Sequence, residues 1–326
     1  QDYKDFIREN RQASAQMPDD LPNAGDPVAP APGTRPEYTP LEDHYRIDIN
    51  IRPEEIDPAA WRLTFHGLVD EDTAFSLDDL QSNYEPLHQY VTMSCISNPV
   101  GGDLISTTYW TGASLQAILA DVPIQAGATH LKITSADGFF ETVALDLIES
   151  DPRIMLAYNW DGIPLLYKHG APLRIYIPDL HGMKQPKWIE DIEVMDHDED
   201  GYWVKRGWDK VARMHTTSVI DVAASDMTFE RDGQVFVPVG GIAHAGARGI
   251  AKVEVRVDEG EWVEAQLRTP LAATTWVIWR YDYPFAAGDH KFEVRCTDGN
   301  GDLQTDERTG TFPDGATGIH SLTREI

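Results

Sequence analysis

Basic residues and cysteines are what this 326-residue chain has least of. Lys plus Arg number 27 against 54 Asp plus Glu, and the net charge of -27 argues against nucleic acid and anionic membrane surfaces while favouring cationic partners. Two cysteines cannot build a disulfide framework, and no CxxC, CxxCH or zinc-type Cys/His spacing occurs, so the redox compartment stays open. No stretch approaches the roughly 18 apolar residues of a membrane span, and no charged-then-apolar signal opens the chain. The chain starts at Gln1 rather than Met, so a leader or membrane anchor is expected upstream. Phosphate loops, flavin fingerprints and internal repeats are also missing.

What is present is an ordinary globular composition, 41% hydrophobic and 25% charged, with length for about two domains. Three segments are expected. Residues 1–38 form a proline-rich arm: after a helix-like QDYKDFIRENRQA, seven prolines from Pro18 to Pro40 favour extended, weakly structured backbone. Residues 39–212 alternate short apolar runs with helical stretches such as FSLDDLQSNY, whose Ser76 and Asp79 resemble a capping box, and ASLQAILADV, which predicts an α+β domain. Residues 213–326 show period-two strands broken by Gly and Asp turns, as in IAKVEVRVDEGEWVEAQL, and predict an all-β sandwich of immunoglobulin type.

The two thiols differ. Cys296 shares strand parity with Phe292 and Val294, so it is expected in a core. Cys95, in VTMSCISNPVGG (residues 91 to 102), stands where a strand gives way to a loop at Pro99 and the glycines. From spacing alone a buried structural thiol and a ligand-reaching thiol remain equally open.

The stretch YNWDGIPLLYKHGAPLRIYIPDLHGMKQPKWIEDIEVMD (Tyr158 to Asp196) resembles the signature of the sulfite oxidase family of molybdopterin enzymes. TPLEDHYRIDINI, DPAAWRLTFHGLVDEDTAFSLDDL and YWTGASLQAIL resemble further segments of that family in the same order, and the strands after Val239 resemble its immunoglobulin-like dimerisation domain. The resemblance implies a molybdenum–molybdopterin cofactor with Cys95 as the metal's protein ligand, a soft thiolate on a soft metal. It implies that Arg174, Lys184 and Lys187, with His169, Gly182 and Met183, hold the cofactor and its phosphate. Tyr45 and Arg46, Ser97 and Asn98, and Ser135 with Asp137 would border the pterin and the metal, Cys95, Arg46 and Asp137 serving catalysis. Local alternatives stand beside these: Arg46 could pair with Asp48, Lys184 and Lys187 could be solvated, and Ser135 and Asp137 could simply make a turn. His181 and His244 read as structural.

Departures bear on the substrate. After Cys95 the chain reads Ile96-Ser97-Asn98-Pro99-Val100, without the arginine that sulfite-oxidising members place there, so sulfite is expected to be a poor substrate unless Arg248 or Lys205 supplies the charge. The expected function is oxo transfer to or from a small donor or acceptor; a methionine sulfoxide reductase, a sulfite dehydrogenase and a cofactor-less scaffold are the alternatives. Electrons must be exchanged with an external cytochrome or membrane quinol system, because the chain carries no second redox motif. An extracytoplasmic, membrane-tethered location is expected, as is a homodimer paired through Trp276, Trp279 and Tyr281.

Overall fold

The computed structural model describes residues 20–326; the helix-like stretch at the chain's start lies outside them. The chain divides into two units that are discontinuous in sequence. Among the described residues the first comprises Leu41–Tyr90 and Thr108–Ala212, and the second residues 20–40, Val91–Thr107 and Arg213–Ile326.

The first unit is mostly sheet. Its strands are β1 (Leu63–Gly67), β2 (Thr73–Phe75), β3 (Pro86–Ser94), β4 (Ile105–Ser114), β5 (His130–Ser135), β6 (Phe140–Ala144), β7 (Met155–Trp160), β8 (Ile163–Pro164), β9 (Arg174–Tyr176) and β10 (Ile189–Met195). The last residues of β3 and the first of β4 are counted with the second unit. One mixed sheet runs β2-β1-β10-β5-β6, with β1 and β10 parallel; the other runs β3-β4-β7-β8, with β9 paired to β7. Both sheets contribute to one apolar core, in which Phe65, Ile133 and Ile192 meet Leu156, Tyr158 and Ile175.

Among the described residues, helix is limited to α1 (Leu77–Ser82), α2 (Leu115–Ala120) and α3 (Leu145–Ser150), each six residues long. The capping box is present: Asp79 N donates to Ser76 Oγ at 3.0 Å and Ser76 N to Asp79 Oδ2 at 2.8 Å. The α+β alternation expected from sequence is therefore realised with little helix, because Asn83 and Asp121 cap these segments after less than two turns.

The second unit holds β11 (Thr217–Ala223), β12 (Phe229–Arg231), β13 (Gln234–His244), β14 (Ile250–Val257), β15 (Val263–Glu264), β16 (Gln266–Leu267), β17 (Val277–Pro284), β18 (Asp289–Asp298) and β19 (His320–Glu325). Two antiparallel sheets, β11-β13-β17-β16 and β15-β14-β18-β19, share a core of Val239, Val253, Val255, Trp279, Phe292, Val294 and Cys296. Cys296 lies where its parity placed it, with burial pushing its thiol up to about 12.

Trp276 and Trp279 are also interior. Their indole N–H groups donate to Glu37 O at 2.9 Å and to Val219 O at 3.2 Å. This corrects their expected place in a dimer interface: three residues apart, they face opposite sides of the sheet, Trp276 packing with Val219, Ile242 and Ile278 and Trp279 with Val239, Val253 and Phe292, and both are buried within the unit.

The proline-rich arm is not loose between residues 20 and 40. Arg268 donates to Val28 O (2.9 Å) and Asn23 O (3.0 Å) and pairs with Glu37 at 2.9 Å, while Asn23 Nδ2 donates to Thr269 O at 2.6 Å. A β-carbon on Gly240 of β13 would come within 2.7 Å of Ala31 Cβ, so the arm and that strand meet where only glycine fits. Prolines leave the arm few donors of its own, and the second unit's arginines use its carbonyls instead. No helix among the described residues is long and apolar enough to cross a membrane.

Candidate functional site

In the first unit, strand pairing assembles a cluster of aromatic rings and cations. Trp110 of β4 and Trp160 of β7 are register partners. Arg174, which opens β9 opposite Ala157, lays its guanidinium over Trp110 at 4.6 Å and donates from Nη1 to His169 O at 3.0 Å. His169 ends a short 3-10 turn, and its ring lies 4.6 Å from Trp160. His44 completes the group, 5.3 Å from Trp160, 5.4 Å from His169 and stacked on Tyr45 at 5.4 Å.

Lys187 Nζ pairs with Asp48 and donates to Ile47 O at 3.1 Å, and Arg46 Nε lies 3.0 Å from Asp48. One carboxylate thus takes two cations, and the Arg46 pairing foreseen as the local alternative is present. Gly170, at φ +106, lets the chain pass close to Lys187: a β-carbon there would lie 2.8 Å from Lys187 Cβ. Asp137 sits in its Asp-Gly turn, accepting Phe139 N at 3.0 Å, and burial raises its carboxyl above the usual range.

The electrostatics are those of an anion site. Burial lowers Arg174 to about 10 and Lys187 to about 8, the positive charge of Arg174 weighing further on Lys187. Burial also holds His44 and His169 neutral, at about 3 and about 2, the charge of Arg174 again depressing both. Arg46 and Lys187 share Asp48, and with Arg174 the three cations outnumber the two carboxylates, Asp48 and Asp137, so positive charge is in local excess within an acidic protein.

Polar atoms inside the cluster point to the same conclusion. The carbonyl of Tyr45, 2.9 Å away, can only accept from His44 Nδ1, so neutral His44 offers an unprotonated Nε2, which is buried and has no hydrogen-bond partner. Trp160 Nε1 and Ser135 Oγ are buried without partners too. Buried donors and acceptors of this kind call for a ligand that supplies both. A pterin phosphate fits: its anionic end suits Arg174 and Lys187, and its ring carries N–H donors and acceptors for His44 and Trp160.

Lys184 is placed differently from Lys187. In the Gly182–Lys184 turn, Met183 and Lys184 are buried and Lys184 Nζ is 2.6 Å from Glu141 Oε2, on a carboxylate with no exposed surface. Its charge is therefore already matched within the unit.

The second unit carries the Cys95 loop. Cys95 N donates to Leu104 O (2.9 Å), Asn98 N to Cys95 O (3.1 Å) and Leu104 N to Asn98 Oδ1 (3.0 Å), so Asn98 closes the loop on itself. Ser97 Oγ stands 3.0 Å from Cys95 Sγ. Thr92 and Thr107, flanking the loop, join hydroxyls at 2.6 Å.

The structure thus gathers Tyr45, Arg46, His169, Arg174 and Lys187 in one cluster, with the Asp137 turn coupled to it through the charges of Lys187 and Asp48. It ties Lys184 to Glu141, and it holds Ser97 and Asn98 around Cys95. Sequence reasoning missed His44, Trp110, Trp160 and Glu141. His44, Trp110 and Trp160 stand within quoted motifs, His44 next to the chosen Tyr45; nothing local marks Glu141.

Residues 50–203, which include Cys95, His169, Arg174 and Lys187, match the oxidoreductase molybdopterin binding domain family. The chain is 27% identical over 285 residues to the mitochondrial sulfite oxidase of Macaca fascicularis, covering 74% of this chain and 52% of that protein. It is 24% identical over 347 residues to the sulfite oxidase of Gallus gallus, covering 86% of this chain and 75% of that protein. The crystal structure of the sulfane dehydrogenase SoxCD from Paracoccus pantotrophus shares the fold, with a TM-score of 0.71 at 18% identity over 84% of this chain and 77% of that chain. The chain spans about half the length of the mammalian sulfite oxidases it matches. By these matches residues 50–203 are similar to molybdopterin-binding oxidoreductase domains, and the chain as a whole is similar to sulfite oxidases. The similarity is to sulfite-oxidase-like proteins, and it implies a molybdenum–molybdopterin cofactor.

Proposed function

We propose that this protein transfers an oxygen atom to or from a small substrate and exchanges the resulting electrons singly with an external carrier. The observation that carries the reading is the buried cluster of Arg174, Lys187, His44 and Trp160, cationic and with unmatched polar atoms, in a chain whose residues 50–203 match a molybdopterin-binding family. The cofactor, when bound, supplies a redox-active metal on dithiolene sulfurs.

In this reading Arg174 and Lys187 hold the phosphate by charge-assisted hydrogen bonds, and the anion in turn restores the basicity that burial has taken from them. His44 accepts from a ring N–H while His169 packs beside it, both staying neutral and adding no charge of their own. Trp160 donates from Nε1. Cys95 supplies the thiolate ligand, and Ser97 hydrogen-bonds its sulfur. Arg46, more than a third exposed, and Asp137 border the substrate.

The two-sheet second unit is read as immunoglobulin-like. A homodimer would use surfaces other than Trp276 and Trp279, which are interior. The acidic surface would steer a basic electron carrier such as a cytochrome.

Sulfite is proposed to be a poor substrate. The loop after Cys95 has no arginine, Arg248 is committed to Asp298 at 2.9 Å and Met214 O at 2.8 Å, and Lys205 to Glu199 at 2.7 Å. Loss of one charge-assisted contact to a dianion costs some 2 to 5 kcal/mol, roughly 30- to several-thousand-fold in kcat/KM. Steady-state turnover with ferricyanide or cytochrome c as acceptor tests this. Weak, unsaturated sulfite turnover beside faster turnover of a neutral donor is expected; saturation by micromolar sulfite at ordinary enzymatic rates would make the protein a sulfite dehydrogenase, as its likeness to sulfite oxidases also allows.

A further inference from the structure

The loop that carries Cys95 is held from behind by two residues far from it in sequence, both within the second unit. Arg35, on the proline-rich arm, forks onto Asp221 of β11, with Nη2 at 2.7 Å and Nε at 2.9 Å from Oδ1, and reaches Gly102 O with Nη1 at 3.5 Å. His320, the first residue of β19, accepts Ile220 N on Nδ1 at 3.0 Å, which fixes its ring. That ring lies against Gly101: a β-carbon there would stand 2.6 Å from Nε2 and 2.8 Å from Cδ2. Gly101 is in the left-handed region at φ +84, so the chain turns under the imidazole where only glycine passes without strain.

The arm is pinned to the same place once more. Thr39 N donates to Thr107 O at 2.8 Å and Thr107 N to Thr39 Oγ1 at 2.9 Å, just beyond the loop, while Trp276 N donates to Thr92 Oγ1 at 2.9 Å just before it. The loop's own hydrogen bonds run among Cys95, Ser97, Asn98, Pro99, Gly102 and Leu104, so they fix its shape more than its placement. Placement comes from the arm and the last strand.

We propose that Arg35 and His320 are positioning residues for Cys95: within the second unit, the arm and the final strand clamp the 95–104 loop and set where its thiol stands. This rests on the reading of Cys95 as the molybdenum ligand. The forked Arg35–Asp221 pair is suited to the task, because a planar two-point contact fixes direction where a lysine would act as a point charge.

Hydrogen–deuterium exchange on cofactor-free protein reads the clamp without any turnover. Arg35→Gln and His320→Ala should each speed exchange of the amides of Cys95, Asn98 and Leu104 by about tenfold, as expected when a local opening loses one hydrogen-bonded contact, with the amides of β14 and β18 unchanged. His320→Asn keeps an acceptor for Ile220 N but removes the ring over Gly101, so it should reproduce the loop effect even if the alanine variant folds poorly. In cofactor-loaded protein the same variants should shift the sulfur-to-molybdenum absorption band. Unchanged loop exchange in the Arg35 and His320 variants overturns the proposal, as does exchange that rises evenly through the second unit, which would mean the residues only hold the fold. Failure of the ligand reading itself is told apart by Cys95→Ser: wild-type turnover in that variant would remove the reading while leaving the exchange results in place.

Discussion

The cation cluster of the first unit and the Cys95 loop of the second reach order by opposite means. Around Arg174 and Lys187 the chain buries charge it does not fully neutralise, keeps two histidines neutral and leaves polar atoms without partners. Around Cys95 it uses backbone hydrogen bonds, glycines and an ion pair to hold one sulfur, the charge of Arg35 being matched by Asp221. The first arrangement costs stability until an anion arrives, whereas the second is complete as it stands. Binding an anionic cofactor should therefore stabilise the first unit more than the second.

The sharpest break of the comparison is at the thiols. Cys95→Ser should abolish turnover while leaving circular dichroism and melting nearly unchanged, since serine is nearly isosteric but a harder and less acidic ligand.

Next come the two lysines that the sequence places together. Lys184→Met should destabilise even cofactor-free protein by about 3 to 5 kcal/mol, because it strands buried Glu141. Lys187→Met should destabilise that protein less, because Arg46 still pairs with Asp48, yet weaken cofactor retention. Urea unfolding with and without cofactor separates the two.

Acid sharpens the contrast further. His44 and His169 sit near 3 and 2 in the fold against 6.5 unfolded, so below about pH 6.5 the unfolded chain takes up protons the folded chain refuses. Their neutral burial costs nothing above that pH, and stability is lost as pH falls, by about 1.4 kcal/mol per pH unit for each imidazole. Unfolding midpoints of cofactor-free protein at about pH 7 and about pH 5 should show it, and His44→Gln should flatten the slope. A milder change is expected from Cys296→Ser, about 1 to 3 kcal/mol of stability with activity retained in the folded fraction.

What could be read from sequence was what local pattern encodes. Strand parity placed Cys296, the Ser76–Asp79 spacing gave the cap of α1, and the HGAPLR motif led to His169 and Arg174, which the fold places in one cluster. Lys184 looked like a phosphate contact, ahead of Lys187, because its partner Glu141 stands 43 residues away, on a strand that nothing in HGMK announces. The arm read as loose because its hydrogen bonds come from Arg268, 240 residues beyond Val28. The aromatic tryptophans read as interface because composition does not say which face of a strand is covered; β17 turns Trp279 inward. His44 escaped notice because its role depends on Trp160 and His169, neighbours only after β7 has formed.

The most direct test is elemental analysis with pterin fluorescence on protein made in a cofactor-competent host, wild type beside Arg174→Gln. The account predicts stoichiometric molybdenum and pterin in the wild type and a loss of both in the variant, with the fold retained. Wild-type protein free of molybdenum, or an Arg174→Gln variant that keeps its full complement, would contradict it.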